Sequence, residues 1–141
     1  MLPKWIKLLL CLLMIVSISS CKDIASKGSN TLKRDTDGLV DFELALQSSI
    51  PVIVKIGLDN CVGCEIANEV FKTLSPKYTE VYFCKVDIIK DRQAIKDYNI
   101  KQVPTIIFFD TKGRQVYRIE DIIDEEMIIE KMKELSFIGV N

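Results

Sequence analysis

Cys61 and Cys64 stand either side of Val62 and Gly63, a Cys-x-x-Cys spacing. Two thiols one helical turn apart can close a disulfide and open it again. The chemistry this suggests is exchange: a thiolate attacks a substrate disulfide, a mixed disulfide forms, and the second thiol resolves it. Composition narrows the alternatives. The 141 residues include five cysteines and no histidine. Without histidine, Ser-His-Asp and Cys-His catalysis are excluded, as are zinc sites built on imidazole. Carboxylate, lysine and cysteine chemistry remain. A net charge of −1, with no basic cluster, gives no reason to expect a nucleic-acid partner.

The pair admits two blander readings. Half of a four-cysteine zinc site would need a second pair, and Cys84 is a single candidate. A purely structural disulfide also fits, although so short a loop constrains the unfolded chain little. Cys84 falls in mid-strand and reads as core. Asp59 and Glu65 flank the pair and read as solvated; as like charges they would raise a nearby thiol's pKa.

The elements around the pair matter more than its spacing. Pro51 to Gly57 is a β-branched run bounded by turn residues, which predicts a buried strand. A helix is predicted from Cys64 to about Leu74 or Tyr78, with Ile66, Ala67, Val70, Phe71 and Leu74 as its apolar stripe and Pro76 ending it. The pair thus lies where a strand hands over to a helix. The first helical turn has unpaired N–H groups and a partial positive charge, which favour a thiolate. Cys61 is therefore the expected attacker and Cys64 the more buried resolver. Upstream, Leu39 to Ile50 has helical spacing, with Asp37 or Thr36 as cap. Downstream come a strand at Val81–Asp87, a short helix at Arg92–Tyr98 and a strand at Thr105–Phe109. A hairpin turn at Asp110–Gly113, a returning strand at Gln115–Ile119 and a helix starting at Asp124 complete the chain. Met127, Ile128, Met132 and Leu135 would form that helix's apolar face, with Ile129 alongside. This order predicts an α/β fold, a mixed central sheet with helices on both faces.

The first twenty residues read as an address. Lys4 and Lys7 precede the apolar run Leu8–Val16, and Ser17, Ser19 and Ser20 follow, the order of a secretory signal peptide. The run falls short of the ~20 apolar residues of a spanning helix, and Cys11 within it reads as a small hydrophobe. Ile18-Ser19-Ser20-Cys21 resembles the bacterial lipobox, which implies cleavage before Cys21 and lipidation of its thiol. Two or three acyl chains, at ~0.8 kcal/mol per buried CH₂, anchor stably. An ordinary signal peptide, or an uncleaved anchor with Cys21 incidental, also fits. The expected organisation is a signal peptide at 1–20, a lipidated cysteine and flexible linker at 21–37, and one domain at 38–141. The expected location is the bacterial cell envelope, facing the periplasm or the outside of the cytoplasmic membrane.

Taken together, these residues resemble the thioredoxin superfamily. The matching pieces are Val52–Ile56, Cys61-Val62-Gly63-Cys64, Lys85-Val86-Asp87, Tyr98-Asn99-Ile100 and Val103-Pro104-Thr105, in the family's order and approximate spacing. The match runs from about Leu39 to Leu135. It implies a thioredoxin fold and a redox-active Cys61–Cys64 disulfide, with no other cofactor and no metal. It also implies that Pro104 is cis and packs beside the pair, shaping a groove and keeping metal from the thiols, while Val103 offers backbone hydrogen bonds to an extended substrate. Thr105, Asn60, Val62 and Gly63 would complete the substrate-binding surface; a proline that merely begins a strand is the alternative. Cys-Val-x-Cys and the segment Glu65–Phe71 resemble the periplasmic C-terminal domain of transmembrane thiol–disulfide interchange proteins. The departures are Asn60 for the usual Trp, Val62-Gly63 for Gly-Pro, and Glu69 for a mid-helix proline. Lys55 replaces the family's buried acid. A buried lysine tends to lose its proton and would serve as a base, or would stay charged and favour a thiolate. Alternatively it snorkels to the surface and takes no part.

The resemblance implies a thiol–disulfide oxidoreductase, here expected to be an exported disulfide reductase. A dithiol oxidase or isomerase, and a non-catalytic binding module of the same fold, remain as alternatives. Expected partners are exported proteins or thiols carrying disulfides, a membrane electron donor, and the membrane itself through the lipid anchor. The protein is expected to be a monomer.

Overall fold

The computed structural model describes residues 32–139. The signal peptide at 1–20, Cys21 and the linker residues up to Thr31 lie outside the described residues.

The run Val52–Gly57 forms strand β1, buried along its whole length. A strand covered on both faces needs apolar residues at every position, which is why its sequence does not alternate. Lys55 is its sole charged residue. Helix α2 (Val62–Leu74) follows, preceded in the chain by a short helix α1 (Phe42–Leu46). Strand β2 (Tyr82–Asp87), helix α3 (Gln93–Asp97), strands β3 (Thr105–Phe109) and β4 (Gln115–Ile119), and helix α4 (Glu125–Glu134) complete the order.

The four strands lie in the order β2-β1-β3-β4. β1 runs parallel to β2 and antiparallel to β3, and β4 returns antiparallel beside β3. This is the mixed sheet with flanking helices that the element order predicts. Two apolar layers cover it. Ile53, Phe83, Ile106 and Phe108 pack with Phe71 and Leu74 of α2 and with Ile128 and Met132 of α4. Val54, Cys84, Ile107 and Phe109 on the other face pack with Phe42 and Ala45 of α1 and Ala94 of α3. The alternation of side chains along a strand puts Ile53, Lys55 and Gly57 on the α2 face. Gly113, at φ +70, closes the β3–β4 hairpin, a backbone conformation costly for other residues.

Several expectations are corrected. The first helix does not run from Leu39, nor is it capped by Asp37 or Thr36. Val40 N–H donates to Phe83 O at 2.9 Å along the edge of β2, which holds residues 39–40 extended. The helix starts after Asp41, whose Oδ1 accepts Leu44 N–H at 3.0 Å. The last residues of the expected linker, 32–37, are folded against the domain. Arg34 bridges Val40, and its guanidinium donates to the carbonyls of Gly38 and Thr79 at 2.9 and 3.3 Å. Ile66 and Met127, expected on apolar stripes, are each 40% exposed. The buried stripe of α2 instead begins at Cys64 and continues through Ala67, Val70, Phe71 and Leu74.

Candidate active site

The site lies at the C-terminal end of β1, where the chain turns into α2. Cys61 has extended backbone angles and caps the helix: its sulfur accepts the backbone N–H of Cys64 at 3.4 Å. A sulfur there meets the unpaired amides and positive end of the helix macrodipole. The Cys61 thiol is held below the ordinary value of 9.0, first by a hydrogen bond from the Cys64 side chain and then by the Cys64 amide. Cys61 is partly exposed and can be reached by a partner.

Cys64 has the opposite character. It is fully buried, and burial pushes its thiol up, with the hydrogen bond to Cys61 adding to the rise. Its sulfur accepts the Leu58 N–H at 3.5 Å. A Cβ placed on Gly57 would stand 2.7 Å from that sulfur. Any larger residue at 57 would therefore displace the Cys64 thiol. All three cysteines of the described residues are free thiols. Cys84 lies on the far face of the sheet, and burial pushes its pKa up to about 12.

Pro104 lies against Gly63, the residue before Cys64. The Val103–Pro104 peptide is cis. A Cβ on Gly63 would stand 3.1 Å from Pro104 Cδ and 3.5 Å from Ile122 Cγ1, so Gly63 lets the helix start close to the proline loop. Among the described residues, Val103 has no backbone hydrogen-bond partner. Val62 projects into solvent at 76% exposure, and Asn60 is exposed beside it. Thr105 is buried and its hydroxyl donates to Gln102 O at 2.7 Å. That hydrogen bond ties down the loop before β3. Asp59 is exposed and pairs with Lys90 at 3.3 Å, and Glu65 is exposed on α2.

Lys55 does not snorkel to the surface: the residue is 2% exposed. Burial is the first cause of a pKa below its ordinary 10.5. Its chain passes beside Gly57, with Cε 3.7 Å from the position a Cβ would take there.

Gly57, Leu58 and Ile122 are site residues that the sequence reading missed. Gly57 carried a weak signal, a glycine ending a β-branched run near a cysteine. The roles of Leu58 and Ile122 depend on a backbone amide and on a loop crossing, and no pattern in the sequence marks either.

The family model described as thioredoxin matches residues 36–134. A probable thioredoxin-2 of Caenorhabditis elegans is 27% identical over 67% of this chain, and a thioredoxin of Pongo abelii is 32% identical over 46% of it. The matched stretches span 66% and 61% of those relatives' own lengths. Among solved structures, thioredoxin O2 of Arabidopsis thaliana in its oxidised state aligns with a TM-score of 0.60 at 27% identity, covering 73% of this chain and 98% of that one. A mutant thioredoxin of Halobacterium salinarum aligns with a TM-score of 0.61 at 23% identity, over 73% of this chain and 89% of that one, a likeness of fold.

Proposed function

The chain belongs to the thioredoxin family, and from that premise we propose that it is an extracytoplasmic thiol–disulfide oxidoreductase working as a disulfide reductase. The observation that carries this reading is the asymmetry of the pair. Cys61 is reachable, heads a helix and ionises easily; Cys64 is buried beneath it and holds its proton. One thiol is suited to attack and the other to resolve.

In the forward reaction the Cys61 thiolate attacks one sulfur of a substrate disulfide. The substrate S–S bond breaks, one thiolate leaves, and a Cys61–substrate mixed disulfide forms. Cys64 then attacks Cys61, the second substrate thiolate leaves, and the Cys61–Cys64 disulfide closes. The dithiol has lost two electrons and the substrate disulfide has gained them. An extended substrate segment would lie along Val103 beside Pro104, passing Val62, Gly63 and Asn60. The Val103 backbone, without a hydrogen-bond partner among the described residues, and the exposed Val62 support that path.

The location belongs to the same proposal. The lipobox-like Ile18-Ser19-Ser20-Cys21 supports export and lipidation. Among the described residues no helix is long and apolar enough to cross a membrane. Outside the cytoplasm disulfides persist, so a reductase there draws electrons from a membrane donor. Oxidised exported proteins or thiols are the proposed substrates.

The test is reduction of insulin by dithiothreitol. The protein accelerates it and Cys61→Ser does not; equal behaviour of the two sinks the oxidoreductase reading. The reduction potential of the couple decides direction: about −270 mV supports a reductase, whereas about −120 mV indicates an oxidant.

A further inference from the structure

Val103 and Pro104 lie on the loop between α3 and β3, outside any strand. A loop that is to pair with substrate backbone must be held in place by something other than a sheet ladder. The end of β4 supplies the hold. Arg118 faces Ile107 across the β3–β4 pair, and Ile107 packs on the α3 side of the sheet, so the arginine projects to that side. Its guanidinium donates to the carbonyl of Tyr98 through Nη2 and to that of Asn99 through Nη1, the latter at 3.3 Å. These carbonyls lie just past the end of α3, and neither accepts a backbone N–H among the described residues. Glu120 accepts the same Nη1 at 2.9 Å and orients it. Nearer the proline, Gln102 Nε2 donates to the backbone carbonyl of Glu120, and the Thr105 hydroxyl donates to Gln102 O at 2.7 Å. From Glu120 the chain runs through Asp121 to Ile122, whose Cγ1 lies 3.5 Å from where a Gly63 Cβ would stand. One short stretch, residues 118–122, thus ties the proline loop to the start of α2.

We propose that Arg118 is a positioning residue for substrate binding, fixing the Val103–Pro104 loop at the spacing from Cys61 that an extended substrate segment must span. The inference rests on the oxidoreductase reading and deepens it. Two observations favour positioning over plain stability. Arg118 Nε is buried and has no partner among the described residues, a cost that an apolar residue at this place would avoid. The planar guanidinium also forks, reaching two successive carbonyls and a carboxylate at once. That fixes the orientation of the loop as well as its place, which a single-point donor cannot do. Tyr98, Asn99 and Glu120 are not reacting groups, so the effect reaches substrate through Val103. Pairing of substrate backbone with Val103 is made before bond exchange and kept during it, so its loss falls on KM and spares kcat.

Reduction of insulin by the full chain, driven by dithiothreitol with insulin varied, separates binding from turnover. The comparison substrate is 5,5′-dithiobis(2-nitrobenzoate), a small disulfide with no peptide backbone to pair with Val103. Arg118→Met raises KM for insulin at least about fivefold and keeps kcat within about twofold, the signature of binding lost equally from ground and transition states. Its rate with the small disulfide falls far less than its kcat/KM for insulin. Arg118→Lys, with one ammonium in place of the fork, recovers part of the loss. Gln102→Ala, which removes the tie nearer the proline, raises KM in the same direction. An unchanged KM in Arg118→Met overturns the proposal, as does an equal loss toward both disulfides, which would mark a general loosening of the domain. Should Arg118→Met not fold, Arg118→Lys and Gln102→Ala decide the matter, and wild-type KM in both overturns it. A wild-type protein that does not reduce insulin overturns the oxidoreductase reading and this inference with it, whereas an active wild type with an indifferent Arg118→Met overturns this inference alone.

Discussion

At the scale of single residues, the domain holds three thiols in three environments, two in the site and one in the core of the opposite face. Hydrogen bonds from Cys64 hold the Cys61 thiol below 9.0, burial pushes Cys64 above it, and burial pushes Cys84 up to about 12. The thiolate is the reacting species, so alkylation follows that order. At pH 7, iodoacetamide should place one label on Cys61, and the labelling rate should titrate with a midpoint below 9.0. Cys64 should react only at higher pH, and Cys84 only after unfolding. Peptide mapping of partly labelled protein checks this, and equal labelling of Cys84 and Cys61 in the folded state would contradict it. The pair itself was legible in the sequence, because its spacing and the switch from strand to helix both appear there. So was Pro104, through the Val-Pro-Thr segment that follows at the family's distance. Lys55 was only half legible. Its position in an apolar strand was plain, but a lysine stem can either snorkel or stay inside, and the lid formed by α2 decides between the two.

At the scale of elements, the join of β1 to α2 controls the chemistry. Gly57 admits Cys64 at a separation no side chain would allow. Gly57→Ala should therefore destabilise the domain by about 1–3 kcal/mol, the usual range for an overpacked interior. It should also slow resolution more than attack, because the displaced atom belongs to the resolving thiol. Asp124→Ala is the contrasting change. Asp124 caps α4 and accepts Met127 N–H at 2.8 Å, far along the chain from the pair. Its loss should cost about 1 kcal/mol, lowering Tm by about 4–8 °C, while both thiol steps keep their rates. Thermal unfolding and stopped-flow reaction with 5,5′-dithiobis(2-nitrobenzoate), whose first and second released thiols report attack and resolution, together measure both variants. Strands and the two longer helices were readable because their runs are long and their caps and turns are marked. The first helix was misjudged because Leu39 and Val40 fit a helical period, yet the amide of Val40 is taken by Phe83. Such a contact between distant segments leaves no trace in local pattern. Ile66 and Met127 show the same limit: the period identifies candidates for a buried face, and neighbouring elements determine how wide that face is.

At the scale of the whole molecule, the proposed anchor is open to a direct measurement. Expressed in a bacterium that lipidates exported proteins, the full chain should fractionate with membranes, and Cys21→Ala should release it. Membrane retention of Cys21→Ala would refute the lipid anchor while leaving the dithiol chemistry untouched. The described residues add a directional constraint. Arg34, close to where the folded domain begins, holds the carbonyls of Ser75 and Thr79 at 3.5 and 3.3 Å, beyond the C-terminal end of α2. Cys61 caps the opposite end of that helix. Thirteen residues at 1.5 Å each separate the two ends by about 20 Å. The domain therefore has a handle at one pole and a reactive tip at the other. Held upstream of Leu32, by a lipid, a bead or a fusion partner, it is gripped at the end away from the dithiol. On a flexible tether a tip so placed explores a volume set by the tether's length, and encounters become a matter of reach and local concentration rather than of contact with the surface that holds the handle.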